Sequence, residues 1–497
     1  MMAAGSASGY LVVGTLWLLG LTVALLEVRI PLARRTAFYL GLASAAVATT
    51  LAGFMWPGDS QLVLAGGGLR VDGFALFIQV FVLLGVVGSL LLGLHEPERA
   101  EAGTTGLVLM AAAGACLLAM TSDLMGMLVS FVGTMIPLWA IAAIHPARNG
   151  REAALKGMVV GSLAAALTGL GAALILARTG TTRLAGIAAY LQSADWIGSD
   201  PLLVAGLALV LAGLGCFVAA VPFHMWFVDV VEGLPVPAGL LLSGGVMAAA
   251  LAAVTRVLLV GFQPVVLSGF GYLSWTAILH ALGLAALLIC NALALVQRRL
   301  KRMLAYLAAG QAGLVLVTLA AIGDLAATGQ QTVVSRAIGG VLVFLAVHAL
   351  NWVGLFVAVE VIAGGVKLDP KISRLSGLAH RHPWMAVAIG LAVLCMAGMP
   401  LTAGFFSRLY LLSAMVEAGW TATAAVAALS LGLVLVMSLG LVATMVMQPV
   451  KPDDLRISPA LVLVAALSSV TILALGILPG GILDVAIRSA ASLLGMV

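Results

Sequence analysis

An all-α polytopic membrane protein is the fold class predicted by this 497-residue sequence, on three observations. Hydrophobic residues make up 63% of the chain and charged residues 9%. With a mean hydropathy of +1.20, that leaves too little polar surface for a water-soluble body of this size. The apolar residues gather in about fourteen blocks, each near the roughly 20 residues that a helix needs to span a bilayer. The basic residues fall mainly on alternate connections between these blocks, as cytoplasmic loops do.

The blocks lie near 8–26, 37–55, 73–93, 104–121, 123–144, 155–177, 202–222, 238–260, 272–296, 303–323, 337–361, 383–416, 421–447 and 458–479. The first begins after Met1, Met2, Ala3 and Ala4, with neither the basic region nor the cleavage site of a secretory signal, so it is expected to remain as a helix. Blocks 104–121 and 123–144 are parted by Ser122 and Asp123, which allows a tight hairpin. Blocks 202–222 and 383–416 carry prolines and are expected to be broken. Ala65 to Gly68 reads as an external turn, since it lacks the strand–helix context and lysine of a phosphate loop.

Charge sets the orientation. With the N-terminus outside, the cytoplasmic side receives Arg29, Arg34, Arg35, Arg99, Arg148, Arg151, Lys156, Arg298, Arg299, Lys301, Arg302, Lys367, Lys371, Arg374, Arg381, Lys451 and Arg456. The outer side receives Arg70, Arg178, Arg183, Arg336 and Arg488, and Arg256 and Arg408 fall within blocks. Both termini are therefore expected on the external side. The net charge of +5 describes orientation, not a polyanion site, which would need a basic patch beyond the bilayer. Cys116, Cys216, Cys290 and Cys395 share no C-x-x-C spacing and read as small buried residues. No H-E-x-x-H or similar ligand set occurs, so no metal site is expected.

The stretch from Val221 to Pro237 places Pro222, His224, Asp229 and Glu232 between two long apolar blocks. Proline and an ionisable ring at this depth imply broken backbone beside a hydrated cavity. Pro400, inside Ala397 to Phe406, forms a second break four intact blocks later, and this pairing points to internally repeated, oppositely oriented bundles.

Five motifs in register resemble a known family. They are Asp123-Leu-Met; Arg151 to Lys156; Val221 to Trp226 with Asp229, Gly233, Pro235 and Pro237; Leu300 to Tyr306 followed by Gln311-Ala-Gly; and Leu375 to Leu378 leading to Ala397–Phe406. Over residues 105–415 the chain resembles the N-type antiporter-like membrane subunits of the proton-pumping NADH–quinone oxidoreductase, respiratory complex I. The resemblance implies helices 1–3 in residues 1–103, a five-helix repeat in 104–260, a second inverted repeat in 272–448, and a last helix and tail in 449–497, with the seventh and twelfth helices discontinuous. It also implies the inner membrane of a bacterium, other antiporter-like and small membrane-arm subunits as partners, and redox chemistry elsewhere: NADH, FMN, iron–sulfur clusters and quinone would belong to partner subunits, and no catalytic residue or cofactor to this chain.

In the family, a glutamate and three lysines form a line of buried ionisable groups. Here the resemblance puts Val132, Phe217 and Met247 at the glutamate and first two lysine positions, and Arg408 at the last. Val132, Phe217 and Met247 offer no proton site, and arginine stays protonated. Loss of both members of a glutamate–lysine pair avoids an orphaned buried charge. The groups that remain as candidates for a proton path are Lys156, His224, His280, Lys301, His348 and Arg408. Each has a structural alternative: Lys156 as a cytoplasmic anchor, Lys301 as part of the basic run Arg298–Arg302, His280 and His348 as hydrogen-bonded core residues. Arg256 either snorkels to the interface or pairs within the bundle, and Glu360 and Glu417 read as interfacial.

Three functions fit. The first is a membrane-arm subunit with reduced or absent proton translocation of its own. The second conducts protons by a rerouted path of water and histidines. The third is a stand-alone cation–proton antiporter, for which the buried titratable pair is lacking.

Overall fold

The computed structural model describes residues 2–29, 34–55, 62–97, 100–146, 148–193, 200–263, 274–363, 371–450, 455 and 457–495. Arg99, Lys367, Lys451 and Arg456 of the charge count lie outside these residues.

The described residues are helical almost throughout. The helices are α1 (Met2–Arg29), α2 (Arg34–Met55), α3 (Gly73–Gly93), α4 (Thr104–Met120), α5 (Leu124–Ile144), α6 (Arg148–Thr179), α7 (Leu184–Gln192), α8 (Pro201–Phe217) and α9 (Met225–Gly233). After them come α10 (Val236–Gly261), α11 (Trp275–Leu295), α12 (Leu300–Ala327), α13 (Gln331–Ala363), α14 (Pro383–Ala397), α15 (Ala403–Glu417), α16 (Thr421–Met447), α17 (Pro459–Ile477) and α18 (Pro479–Leu493). Among the described residues ten helices are long and apolar enough to cross a membrane, and four shorter ones are similarly apolar.

Polar residues at the block edges act as caps. Asp72 accepts a hydrogen bond from the Ala75 amide at the start of α3, and Asp123 accepts from the Met125 and Gly126 amides at the start of α5. Asp200 and Ser458 cap α8 and α17, each followed by proline at the first helical position, where its missing N–H leaves no bond unmade. The turn at 65–67 joins a small antiparallel hairpin, Leu62–Leu64 with Leu69–Val71.

The core runs through α10, α12 and α13. Their spanning stretches are buried nearly throughout, whereas α6, α11, α16 and α17 bury only 33–39% of theirs. Helices apolar on every side in the interior, with outward apolar faces around them, are what lipid as solvent selects. Close approach depends on small residues: a Cβ at Gly171 of α6 would meet the Gly206 carbonyl oxygen of α8 at 2.6 Å.

Both proline-bearing blocks are divided. The first leaves the helix after Phe217 and resumes at Met225; the second stops at Ala397 and resumes at Ala403. Three features have no counterpart in the sequence reading. α10 widens into π-helix at Leu241–Val246 and Val257–Gly261. α7 is a short helix between α6 and α8. The C-terminal tail is helical as α18, which packs on α13 and α3.

Candidate functional site

Val132, Phe217 and Met247, which the resemblance puts at relay positions, come from α5, the end of α8, and α10. Phe217, the last residue of α8, stacks on Phe131 of α5 with ring centroids 3.3 Å apart and planes 11° from parallel. Met247 is buried where the first π-segment returns to α-helix, and Val132 is half-buried against the same core. The Phe131–Phe217 stack fills the space between α5 and α8 with carbon. It can neither donate nor accept a proton, nor supply the polar partners that an internal water needs.

Beyond Phe217 the break spans Val218–His224. Ala219 adopts a left-handed φ of 52°, and the Trp226 indole of α9 reaches back 3.1 Å to the Cys216 carbonyl, tying the halves together. His224 precedes α9 with its ring 6.1 Å from that of Tyr306 on α12. Its Nδ1 is buried without a hydrogen-bond partner.

His348 of α13 is fully engaged. The Trp352 indole donates to its Nδ1 at 3.0 Å, and its Nε2 lies 2.9 Å from the Ser243 carbonyl in the π-segment. An indole can only donate and a carbonyl only accept, so the ring is the neutral tautomer with the proton on Nε2. A second proton on Nδ1 would point at the Trp352 N–H. This arrangement makes His348 a structural link between α13 and α10 and a poor relay.

Arg408 of α15 turns back under the second break. Its Nη1 donates to the Cys395 and Gly404 carbonyls at 3.1 and 2.9 Å, and its Nη2 to the Met396 carbonyl and, at 3.1 Å, to Gln311 Oε1 of α12. Cys395 and Met396 lie in the last turn of α14, whose free carbonyls carry the negative end of the helix dipole. The Phe344 ring lies 5.7 Å from its guanidinium carbon. Gly398 takes a left-handed φ of 80° in this break, and a Cβ on Gly404 would come within 1.8 Å of the Cys395 oxygen. Pro400 sits in the same break, outside both half-helices.

Lys156 and Lys301 lie near the basic end of the bundle. Lys156 is half-exposed and pairs with Glu152 and Asp229, each at 2.7 Å. Arg302 bridges Asp229 at 2.9 Å and Glu232 at 2.6 Å, and Arg299 also pairs with Glu232. The buried Lys301 ammonium donates to the Leu234 carbonyl at 2.6 Å. α9 is thus clasped to α6 on one side and α12 on the other. Close by, burial and the Lys301 charge push the His145 imidazole down to about 4.

His280 of α11 is half-buried, with Nε2 3.1 Å from the Thr423 hydroxyl and its ring 4.5 Å from that of Trp420. Glu360 is buried one turn from the end of α13, and Glu417 pairs with Arg336 at 3.1 Å.

Arg256 resolves in favour of pairing. Its two terminal nitrogens donate to the two carboxylate oxygens of Asp72, both at 2.7 Å, with both side chains out of solvent. The Phe74 ring lies 5.0 Å from its guanidinium carbon. Sequence reasoning missed Asp72, which is 184 residues away; its one local signal is a capping carboxylate before an apolar helix. It also missed Gln311 as the partner of Arg408.

Comparison with known proteins finds relatives of the whole chain. Residues 121–438 match the family described as NADH:quinone oxidoreductase/Mrp antiporter, TM. NADH-quinone oxidoreductase subunit N of Myxococcus xanthus is 34% identical over 466 residues, spanning 88% of this chain and 87% of the relative. A chain of respiratory complex I from Thermus thermophilus superposes with a TM-score of 0.77 at 27% identity, covering 95% of this chain and 98% of that one. A chain of the membrane-bound sulfane sulfur reductase, an archaeal respiratory membrane complex, superposes with a TM-score of 0.83 over 98% of this chain and 97% of that one; at 20% identity this is a likeness of fold.

Proposed function

The chain belongs to the NADH:quinone oxidoreductase/Mrp antiporter family of membrane subunits, and from that premise we propose that it is a membrane-arm subunit whose own proton path is interrupted. The observation that carries this reading is the stack of Phe131 on Phe217, the latter standing where the resemblance puts a family lysine and the former next to Val132, where it puts the glutamate. A path through a low-dielectric core needs groups that gain and lose protons, and a buried lysine does so because burial draws its pKa toward neutrality. Phe217 and Met247 cannot, His348 is committed on both ring nitrogens, and Arg408 holds its proton. Protons pumped by the assembly would pass through other subunits, while this one transmits packing and charge along the membrane arm.

The same reading takes the broken helix pairs α8–α9 and α14–α15 as one pass each, giving fourteen passes with both termini on the outer side and two inverted repeats in 104–260 and 272–448. NADH, FMN, iron–sulfur clusters and quinone would lie on partner subunits. The rerouted path through His224, His280, His348 and Arg408 is disfavoured by the hydrogen bonds that engage both ring nitrogens of His348. The proton-to-electron ratio of the assembled complex in sealed vesicles tests the proposal. Arg408→Met, in a complex that still assembles, is expected to leave the ratio unchanged; a lower ratio with electron transfer intact would show that this subunit pumps.

A further inference from the structure

We propose that Arg408 and Gln311, between α12, α13, α14 and α15, form a buried binding site for a small monovalent anion of the halide class.

A guanidinium has five N–H donors. Four of those on Arg408 are taken by the Cys395, Gly404 and Met396 carbonyls and by Gln311 Oε1. The fifth, on Nε, is buried and has no partner. Gln311 spends its oxygen on Arg408, and its amide nitrogen, with two further donors, is likewise buried and unpartnered. Both side chains are more than nine-tenths buried. One side-chain cluster therefore holds three N–H bonds without a partner.

Charge points the same way. Among the described residues no carboxylate is bonded to Arg408, in contrast to Arg256, which takes both oxygens of Asp72. The carbonyl end of α14 supplies about half a negative charge, so the guanidinium keeps much of its own. Its other neighbours include the Phe344 ring, the Cys395 thiol and the Met396 sulfur, the last 3.7 Å from Nη2, all of which accept hydrogen bonds weakly. A water placed on the open donors would bring two O–H groups that need acceptors of their own. A halide needs only donors and cancels the charge.

The test uses the assembled complex, purified in chloride or in gluconate at equal ionic strength, and reads thermal denaturation together with bromide density in a structure. Chloride and bromide are expected to raise the melting temperature by a few degrees over gluconate through binding to the folded state, with bromide density beside Arg408 Nε. Gln311→Leu keeps the cation and removes donors, so it should weaken the halide dependence; Arg408→Met should abolish it. Equal melting temperatures of the unaltered complex in chloride and gluconate, or water-like density at both donors in bromide, would overturn the site. So would a halide dependence that neither variant changes. None of these readouts involves proton transport, so the site and the interrupted path fail independently.

Discussion

Arg408 and Arg256 are both guanidiniums inside an apolar bundle, and the chain stabilises them differently. Arg256 has a carboxylate in bidentate register, and removing either partner leaves the other charge buried alone. Asp72→Asn or Arg256→Gln should therefore destabilise the subunit by about 3–5 kcal/mol, seen as loss of assembled complex at growth temperature; a full yield of heat-stable complex would contradict this. Arg256→Lys should also weaken it, because an ammonium cannot match both oxygens. His145 contributes a pH dependence. Its pKa is near 4 in the folded chain and about 6.5 when free, so the unfolded chain binds more protons between these values and stability falls as pH drops through that window. His145→Gln should flatten the fall, measured as melting temperature against pH. The sequence shows Arg256 and Arg408 as unusual, because charge inside an apolar block is conspicuous. It does not show their distant partners, Asp72 for Arg256 and Gln311 for Arg408.

At the level of elements, the helices were legible from apolar block length and from their punctuation: Asp72, Asp123 and Asp200 stand at helix starts as capping chemistry requires, and Pro222 and Pro400 stand in the breaks. The π-segments of α10 were not, because a one-residue widening of a helix leaves apolar composition unchanged. α18 was missed because the tail after Ile477 is less apolar than a spanning helix. Two predictions concern the breaks. Gly404→Ala would drive a Cβ into the Cys395 carbonyl and should cost about 1–3 kcal/mol or more, read as reduced assembly, while Ala at the open Gly432 should be tolerated. In the clasp around α9, Lys156→Gln removes a half-exposed pair worth at most about 1 kcal/mol, whereas Arg302→Gln unlinks two carboxylates at once and should loosen α9 more. Cross-linking of cysteines placed on α9 and α12 checks the ordering, and equal effects would contradict it.

For the whole molecule, membrane residence and family followed from composition and from five motifs in register, since both are spread over hundreds of residues. The state of the proton path was only half legible. Val132, Phe217 and Met247 announce missing proton sites, but the sequence does not say that Phe217 finds Phe131, or that His348 is held neutral between Trp352 and Ser243. The Phe131–Phe217 stack and the engaged His348 are the contacts on which the proposed interruption rests. The most direct test is a structure of the assembled complex resolving ordered water in its membrane arm. A file of waters that stops short of Phe131, Phe217 and Met247 is the predicted result; a continuous file through them to Arg408 would contradict the interrupted path.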